Sequence, residues 1–380
     1  MTSLLVENGT IATAGAPCAA AVITLEDGRI AAIHPGPGVA DRRIDLAGGW
    51  LLPGFVDVQV NGGGGVLFND QTTPDAIARI GAAHARFGTT AFLPTLITDT
   101  PAAIARALDA VDQAIASGVP SVVGVHIEGP VINPVRKGIH ASEKIRRLDT
   151  DTLALLCQPR RGITVLTLAP ECVAHDDLAA LTAAGVLICA GHTDATYDDA
   201  AAGFASGIRG VTHLFNAMSP FTHRAPGMVG AALLDDAVWC GLIADGIHAA
   251  APALQLALKV KGPDRIMLVT DAMPGVGLDS GSFQLDGRTI TIENGMCTDA
   301  AGTLAGSNLD MASALRTMVA LGGADILTAG RMASATPAAF LGLDAERGSI
   351  APGLRADLVV LDAGLRVRQT WIGGNIAWQS

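Results

Sequence analysis

From residue 50 onward the chain repeats one unit: a short apolar, β-branched run, then a polar or glycine loop, then an alanine-rich stretch with helical spacing. Runs of this kind stand at 54–60, 89–96, 121–127, 163–169, 185–191, 208–214, 238–244 and 265–271. Helical stretches are expected between them at 74–87, 101–117, 175–184, 195–206 and 249–260, several opening with Pro or Asp near the first turn. Eight strands alternating with helices predict an α/β fold, a (β/α)8 barrel of the TIM type. No close internal repeat points to a solenoid.

A chain of 380 residues exceeds the usual single core, and one large domain plus a small one is the economical arrangement. The ends read differently from the middle. Residues 1–50 and 345–380 hold short strand-like pieces broken by turn signals such as "EDGR", "HPGPG" and "GGN", so they are expected to pair into one small β-domain with the barrel, 51–344, inserted between them. Alternation over 276–306 predicts a local β-excursion after the eighth strand, and helices from about 310 to 341 lead back to the small domain.

Bulk chemistry excludes several classes. Hydrophobic residues make up 49% and charged ones 16%, with 45 glycines, which suits a buried parallel sheet with tight loops. A net charge of −11 argues against a nucleic-acid surface, and an anionic substrate would need local cations working against that field. The six cysteines form no C-x-x-C pair, so neither a disulfide framework nor a thiolate zinc site is indicated. No apolar run nears the roughly 18 residues of a membrane span, and no secretory leader is evident, so a cytoplasmic protein is expected.

In such barrels the chemistry stands at the C-terminal ends of the strands. Here those ends read "HIEGP" (His126, Glu128), "AGHT" (His192), "THLFNAM" (His213, Asn216), "ADGIH" (Asp245, His248) and "VTDAM" (Asp271). One histidine at a strand end is commonly structural. Two histidines and a glutamate, each closing its own strand, also suit zinc or another first-row divalent metal with open positions for water, and the residues alone leave both readings open. Asp271 reads either as a loop-closing aspartate or as a proton acceptor beside activated water. The first strand puts Asp57, Gln59 and Asn61 on one face and ends in four glycines, 62–65, with no histidine. A neutral amide is a poor ligand for a transition metal.

Taken together, "LLPGFVDVQVNGGGG", "HIEGP", "KGIHA", "AGHTDATY", "THLFNAMSP", "VTDAM", "TLAGSNLDM" and "GSIAPGLRADLVVLD" resemble the amidohydrolase superfamily and, within it, the N-acetylglucosamine-6-phosphate deacetylase branch. The resemblance implies a metal-dependent barrel, a β-sandwich built from both chain ends, and a homodimer. Glu128, His192 and His213 match its metal ligands, Asp271 its acid/base, and His140 a substrate contact that polarises the acetamide carbonyl. Asn216, Ala217, Arg224, His248, Leu304, Ala305 and Gly306 match substrate-binding positions, with Arg224 and His248 on the phosphate and His248 reaching the neighbouring subunit's site. Other members carry H-x-H where this chain has Gln59 and Asn61, so one divalent ion per subunit is expected, zinc first, with iron, manganese or cobalt as alternatives. Gln59 and Asn61, as remnants of a second site, are expected to hydrogen-bond water or neighbouring strand ends. The rival readings are a deacetylase of the galacto epimer of the sugar phosphate or of another acylamino sugar, and a scaffold without catalysis.

Overall fold

The computed structural model describes residues 1–276, 278 and 281–380. The expected barrel is what the chain forms. Its eight parallel strands are Phe55–Val60, Thr89–Ile97, Gly124–Glu128, Ile163–Leu168, Leu187–Ala190, Ile208–Val211, Trp239–Ile243 and Ile266–Val269. They lie side by side in sequence order. Closure comes from a parallel bridge between Val60 and Ala272. There the Asp271 N–H donates to the Gln59 carbonyl at 3.0 Å, and the Gly62 N–H to that of Ala272 at 2.9 Å.

Local signals start the helices where they were expected. Thr73 and Thr100 each accept a hydrogen bond from the third helical N–H, and each is followed by a proline. That proline costs nothing, because its missing N–H would have had no helical partner. The helices Pro74–Ala85 and Pro101–Ala116 then bury Ile77 and Ile80, and Ile104, Leu108 and Val111, against the sheet. Each such side chain contributes roughly 1.5–3 kcal/mol. The helix Gly227–Leu234 escapes such a reading. It is buried on nearly every side and so carries no polar stripe to mark its period.

Past the eighth strand, Gly281–Leu285, Arg288–Glu293, Met296–Thr298 and Leu304–Ser307 form a four-stranded antiparallel sheet. This is the excursion expected over 276–306, of which residues 277, 279 and 280 lie outside the described residues. Its apolar face packs Leu285, Ile290 and Ala305 against Leu67, Ile97, Ile139 and Met273 at the barrel mouth. Two further sheets come from the chain ends. One has four strands from residues 2–45; the other joins Thr10–Ile11 and Trp50–Pro53 to Leu358–Leu361, Val367–Ile372 and Asn375–Gln379. Leu4, Val6, Ile23, Leu51, Val360 and Trp371 form the core between them. The strand Trp50–Pro53 pairs with Leu358–Leu361, so this sheet runs a few residues beyond position 50.

A polar layer crosses the barrel interior below the strand ends. Asp57 is fully buried there, accepting from the Thr270 hydroxyl at 2.6 Å and from the backbone N–H groups of Gln59 and Thr270 at 3.2 and 3.3 Å. Burial outweighs those bonds and pushes its pKa up to about 7. The unfolded chain releases that proton near pH ~3.9. Folding therefore takes up a proton between these values, and stability falls as pH rises across the window, by up to about 1.4 kcal/mol per pH unit. Asp57→Asn is expected to remove this slope. Urea unfolding at pH 5 and pH 8 checks it, and equal slopes for both proteins would contradict the protonated Asp57.

Candidate active site

Four of the polar side chains stand where strand becomes loop, and the backbone there is unusual. His192, His213 and Asp271 have φ of 49°, 34° and 52°, a left-handed conformation that non-glycine residues adopt at a cost of order 1–3 kcal/mol. Backbone bonds from neighbouring segments anchor two of them. Asn133 N–H donates to the His192 carbonyl at 2.8 Å, and Ser307 N–H to that of Asp271 at 2.9 Å. The turn swings each side chain over the barrel axis, where straight continuation of the strand would carry it past.

The result is a tight triangle of donor atoms. Glu128 Oε1 lies 3.1 Å from His192 Nε2 and 3.1 Å from His213 Nε2, and the two Nε2 atoms are 3.1 Å apart. His192 Nδ1 contacts the Arg136 carbonyl at 3.0 Å, and a carbonyl can only accept. That bond puts the ring's proton on Nδ1 and leaves the Nε2 lone pair facing the triangle. Tetrahedral coordination with bonds of about 2.0–2.2 Å spaces ligand atoms about 3.3–3.6 Å apart. Two imidazoles and one carboxylate oxygen at this spacing fit a divalent cation. A looser set, Glu128, His140 and His192, has its ligand atoms within 4.8 Å of one another. The equilateral set with His213 is the closer match to one ion.

Electrostatics follow the geometry. Burial opposes charge on Glu128, but His192 and His213, when their rings are protonated, donate to it and hold its pKa well below the usual range. Burial, reinforced by the charge of Glu128, pushes Asp271 up to about 6. Asn61 Nδ2 donates to Asp271 Oδ1 at 2.6 Å, and Gln59 Nε2 to the same atom at 3.1 Å and to Glu128 Oε1 at 3.3 Å. The two amides thus turn their N–H groups toward the carboxylates. The glycines after them serve closeness: a Cβ on Gly62 would sit 2.2 Å from the Val66 carbonyl oxygen, and Gly64 and Gly65 donate to the carbonyls of Val276 and Pro274.

His140 is buried, with Nδ1 at 2.7 Å from the Thr98 hydroxyl, which also lies 3.2 Å from the Glu128 carbonyl. Burial first, then the neighbouring histidines, hold its pKa well below normal, so the ring is neutral. For Nε2 to donate, Thr98 must turn its hydrogen onto Nδ1. Thr98→Val, which keeps the shape and removes the hydroxyl, is expected to lower kcat by on the order of tenfold. Steady-state kinetics with a melting curve on the same sample check this, and an unchanged kcat would detach Thr98 from the chemistry.

A cavity of about 350 Å³ opens over these groups. Among the expected site residues, Asn61, Glu128, His140, His192, His213, Asn216, Ala217, His248, Asp271, Leu304 and Gly306 line it. Gln59 lies buried beneath it. Ala305 turns the other way, into the apolar cluster of the excursion, because it alternates with Leu304 and Gly306 along one strand. Arg224 is exposed and lines a neighbouring depression instead. His248, expected to reach a neighbouring site, lines the cavity of its own chain, with Nδ1 at 2.6 Å from Asp245. Sequence reasoning missed Arg136 and Thr98. Arg136 adjoins "KGIHA" and Thr98 follows the run 89–96, but no periodicity distinguishes a loop arginine or a strand-end threonine.

Residues 50–377 match the amidohydrolase family, and the chain belongs to it. Within that family its relatives are more narrowly defined. It is 40% identical over 335 residues to the N-acetylgalactosamine-6-phosphate deacetylase of Shewanella sp., covering 88% of this chain and 85% of that one. It is 38% identical over 359 residues to the N-acetylglucosamine-6-phosphate deacetylase of Mus musculus, covering 90% and 87%. The crystal structure of N-acetylglucosamine-6-phosphate deacetylase from Pasteurella multocida superposes with a TM-score of 0.95 at 32% identity over 100% of both chains. A mutant of the Mycobacterium smegmatis enzyme in complex with N-acetyl-D-glucosamine-6-phosphate superposes with a TM-score of 0.91 at 32% identity over 99% of both.

Proposed function

We propose that this chain removes the N-acetyl group of N-acetyl-D-glucosamine 6-phosphate by hydrolysis, giving glucosamine 6-phosphate and acetate. The observation that carries the reading is the 3.1 Å triangle of Glu128, His192 and His213 opening onto one cavity with Asp271. These three residues would hold one divalent ion, with zinc the first candidate and iron, manganese or cobalt accepted by the same donors. When bound, such an ion lowers the pKa of a water molecule and polarises a carbonyl.

The chain's own groups do the rest. Asp271, with its pKa raised to about 6, is ionised near neutrality and basic enough to take a proton from the attacking water. The amine is a poor leaving group unless protonated, and Asp271 then returns the proton to its nitrogen. His140 donates to the carbonyl oxygen as negative charge develops there. Gln59 and Asn61 hold the Asp271 carboxylate in place through its Oδ1. Asn216, Ala217, Leu304 and Gly306 hold the sugar, and Arg224 and His248 contribute to binding its phosphate. The reading includes a cytoplasmic homodimer, with segments 1–50 and 345–380 as its small domain. His248 lines the cavity within its own chain.

A second reading, the galacto epimer, is favoured by the 40% identity to a protein of that name. Acetate release from both sugar phosphates decides between them. Activity on the galacto sugar alone would select the second reading, and activity on neither would overturn the function, leaving the scaffold reading.

A further inference from the structure

The His140 ring lies against that of His192, with centroids 4.3 Å apart, yet the segment that carries it, 137–146, has little regular structure to keep it there. One short 3₁₀ turn, Ser142–Lys144, follows His140, and the His140 N–H donates to the Lys137 carbonyl at 3.1 Å. Side-chain bonds to distant parts of the chain do the holding. On one side lies the end of the second strand. Thr98 Oγ1 meets His140 Nδ1 at 2.7 Å, Lys144 Nζ donates to Asp99 Oδ2 at 3.1 Å, and Arg146 donates to the Asp99 carbonyl at 2.5 Å. On the other side lies the antiparallel excursion. Lys144 Nζ donates to Asp286 Oδ1 at 2.7 Å in the turn between its first two strands, and Arg288 donates to the Ile139 carbonyl.

Lys144 thus bonds both sides at once, across 45 and 142 residues of chain. An ion pair in open water contributes little, but here Lys144 is a quarter exposed and its two partners less. Burial opposes its charge, and the bonds to Asp286 and Asp99 outweigh that, so its pKa stands above that of an ordinary lysine. A third carboxylate belongs to the group: burial raises the pKa of Asp70, the charges of Asp286 and Asp99 add to that, and Lys144 works against them. Without the ammonium, like charges would face one another between the barrel mouth and the sheet packed on it.

We propose that Lys144 is a positioning residue of this site: by joining Asp99 to Asp286 it clamps the segment carrying His140 between the second strand and the excursion, and so fixes the His140 ring beside His192. This rests on the function proposed above, in which His140 donates to the carbonyl oxygen as charge develops. A donor that acts in the transition state shows its displacement in kcat, with KM little changed.

The test follows acetate release by the full-length, metal-loaded protein from N-acetylglucosamine 6-phosphate, or from its galacto epimer if that is the sugar hydrolysed. Lys144→Met keeps the apolar stem and removes the charge. It is expected to lower kcat on the order of tenfold, with KM within about twofold and metal content unchanged. Lys144→Arg should restore most of that loss, because a guanidinium can donate to both carboxylates. The deciding arm repeats Lys144→Met on a His140→Gln background. A residue that acts through His140 has nothing left to position there, so the second substitution should cost less than about twofold, whereas general damage to the structure would cost the same in both backgrounds. A Lys144→Met protein with kcat within about twofold of wild type, a loss confined to KM, or an equal loss in the two backgrounds overturns the assignment. Wild-type kcat in His140→Gln removes His140 from the chemistry and overturns this inference with it. Wild-type protein that hydrolyses neither sugar phosphate overturns the underlying function, an outcome distinct from a working enzyme indifferent to Lys144.

Discussion

Asp271→Asn is expected to lower kcat by about 10²–10⁴-fold while leaving the fold and the metal content in place. The amide keeps an oxygen for the hydrogen bonds from Asn61 and Gln59, and the backbone bonds from Asp271 N–H to Gln59 and from Ser307 to the Asp271 carbonyl do not involve the side chain. What it loses is the ability to take up a proton at the attacking water and deliver it to the nitrogen. The pH profile supplies the sign. With a pKa of about 6, Asp271 is charged above that value, so wild-type kcat/KM should fall as pH drops below about 6. The residual activity of the variant should lack that limb. A variant within about threefold of wild type, or one that keeps the acidic limb, would remove Asp271 from the mechanism.

Removing the metal should have an effect at least as large. Protein dialysed against a chelator is expected to lose nearly all acetate-releasing activity and to regain it with one equivalent of a divalent ion per chain, as read by elemental analysis. One rather than two follows from the first strand. Gln59 and Asn61 point N–H groups at Glu128 and Asp271, occupying with hydrogen bonds the carboxylate faces that a second cation would need. Retention of two tightly bound ions per chain, or full activity of stripped protein, would contradict this arrangement. His213→Ala gives a further check. It breaks the 3.1 Å triangle at one corner, so metal should be lost at chelator concentrations that the wild type withstands.

Much of the barrel was legible because its signals are local. Thr-Pro pairs at 73–74 and 100–101 start helices by satisfying their own orphan N–H groups, and β-branched runs of four to nine residues mark strands wherever they lie. The buried helix Gly227–Leu234 was not legible, since burial on all sides erases the amphipathic period that would betray it. Within the site, Glu128, His192, His213 and Asp271 were conspicuous as polar residues ending apolar strands. Ala305 illustrates the opposite case: its motif drew attention, but strand alternation sends its side chain into an apolar cluster.

Patterning along the chain was enough to specify eight alternating units and the strand ends where polar chemistry would collect, because periodicity and capping operate over a few residues. It could not specify distances. The 3.1 Å triangle exists because barrel closure brings strands three, five and six around one axis and left-handed turns at His192 and His213 aim the rings inward. The amides of the first strand acquire their meaning the same way, since Gln59 meets Asp271 across 212 residues of chain only where the eighth strand closes on the first. Arg136 looks like any loop arginine until folding places its carbonyl beside the His192 ring. Those contacts are non-local, and they depend on the closed geometry of the whole barrel.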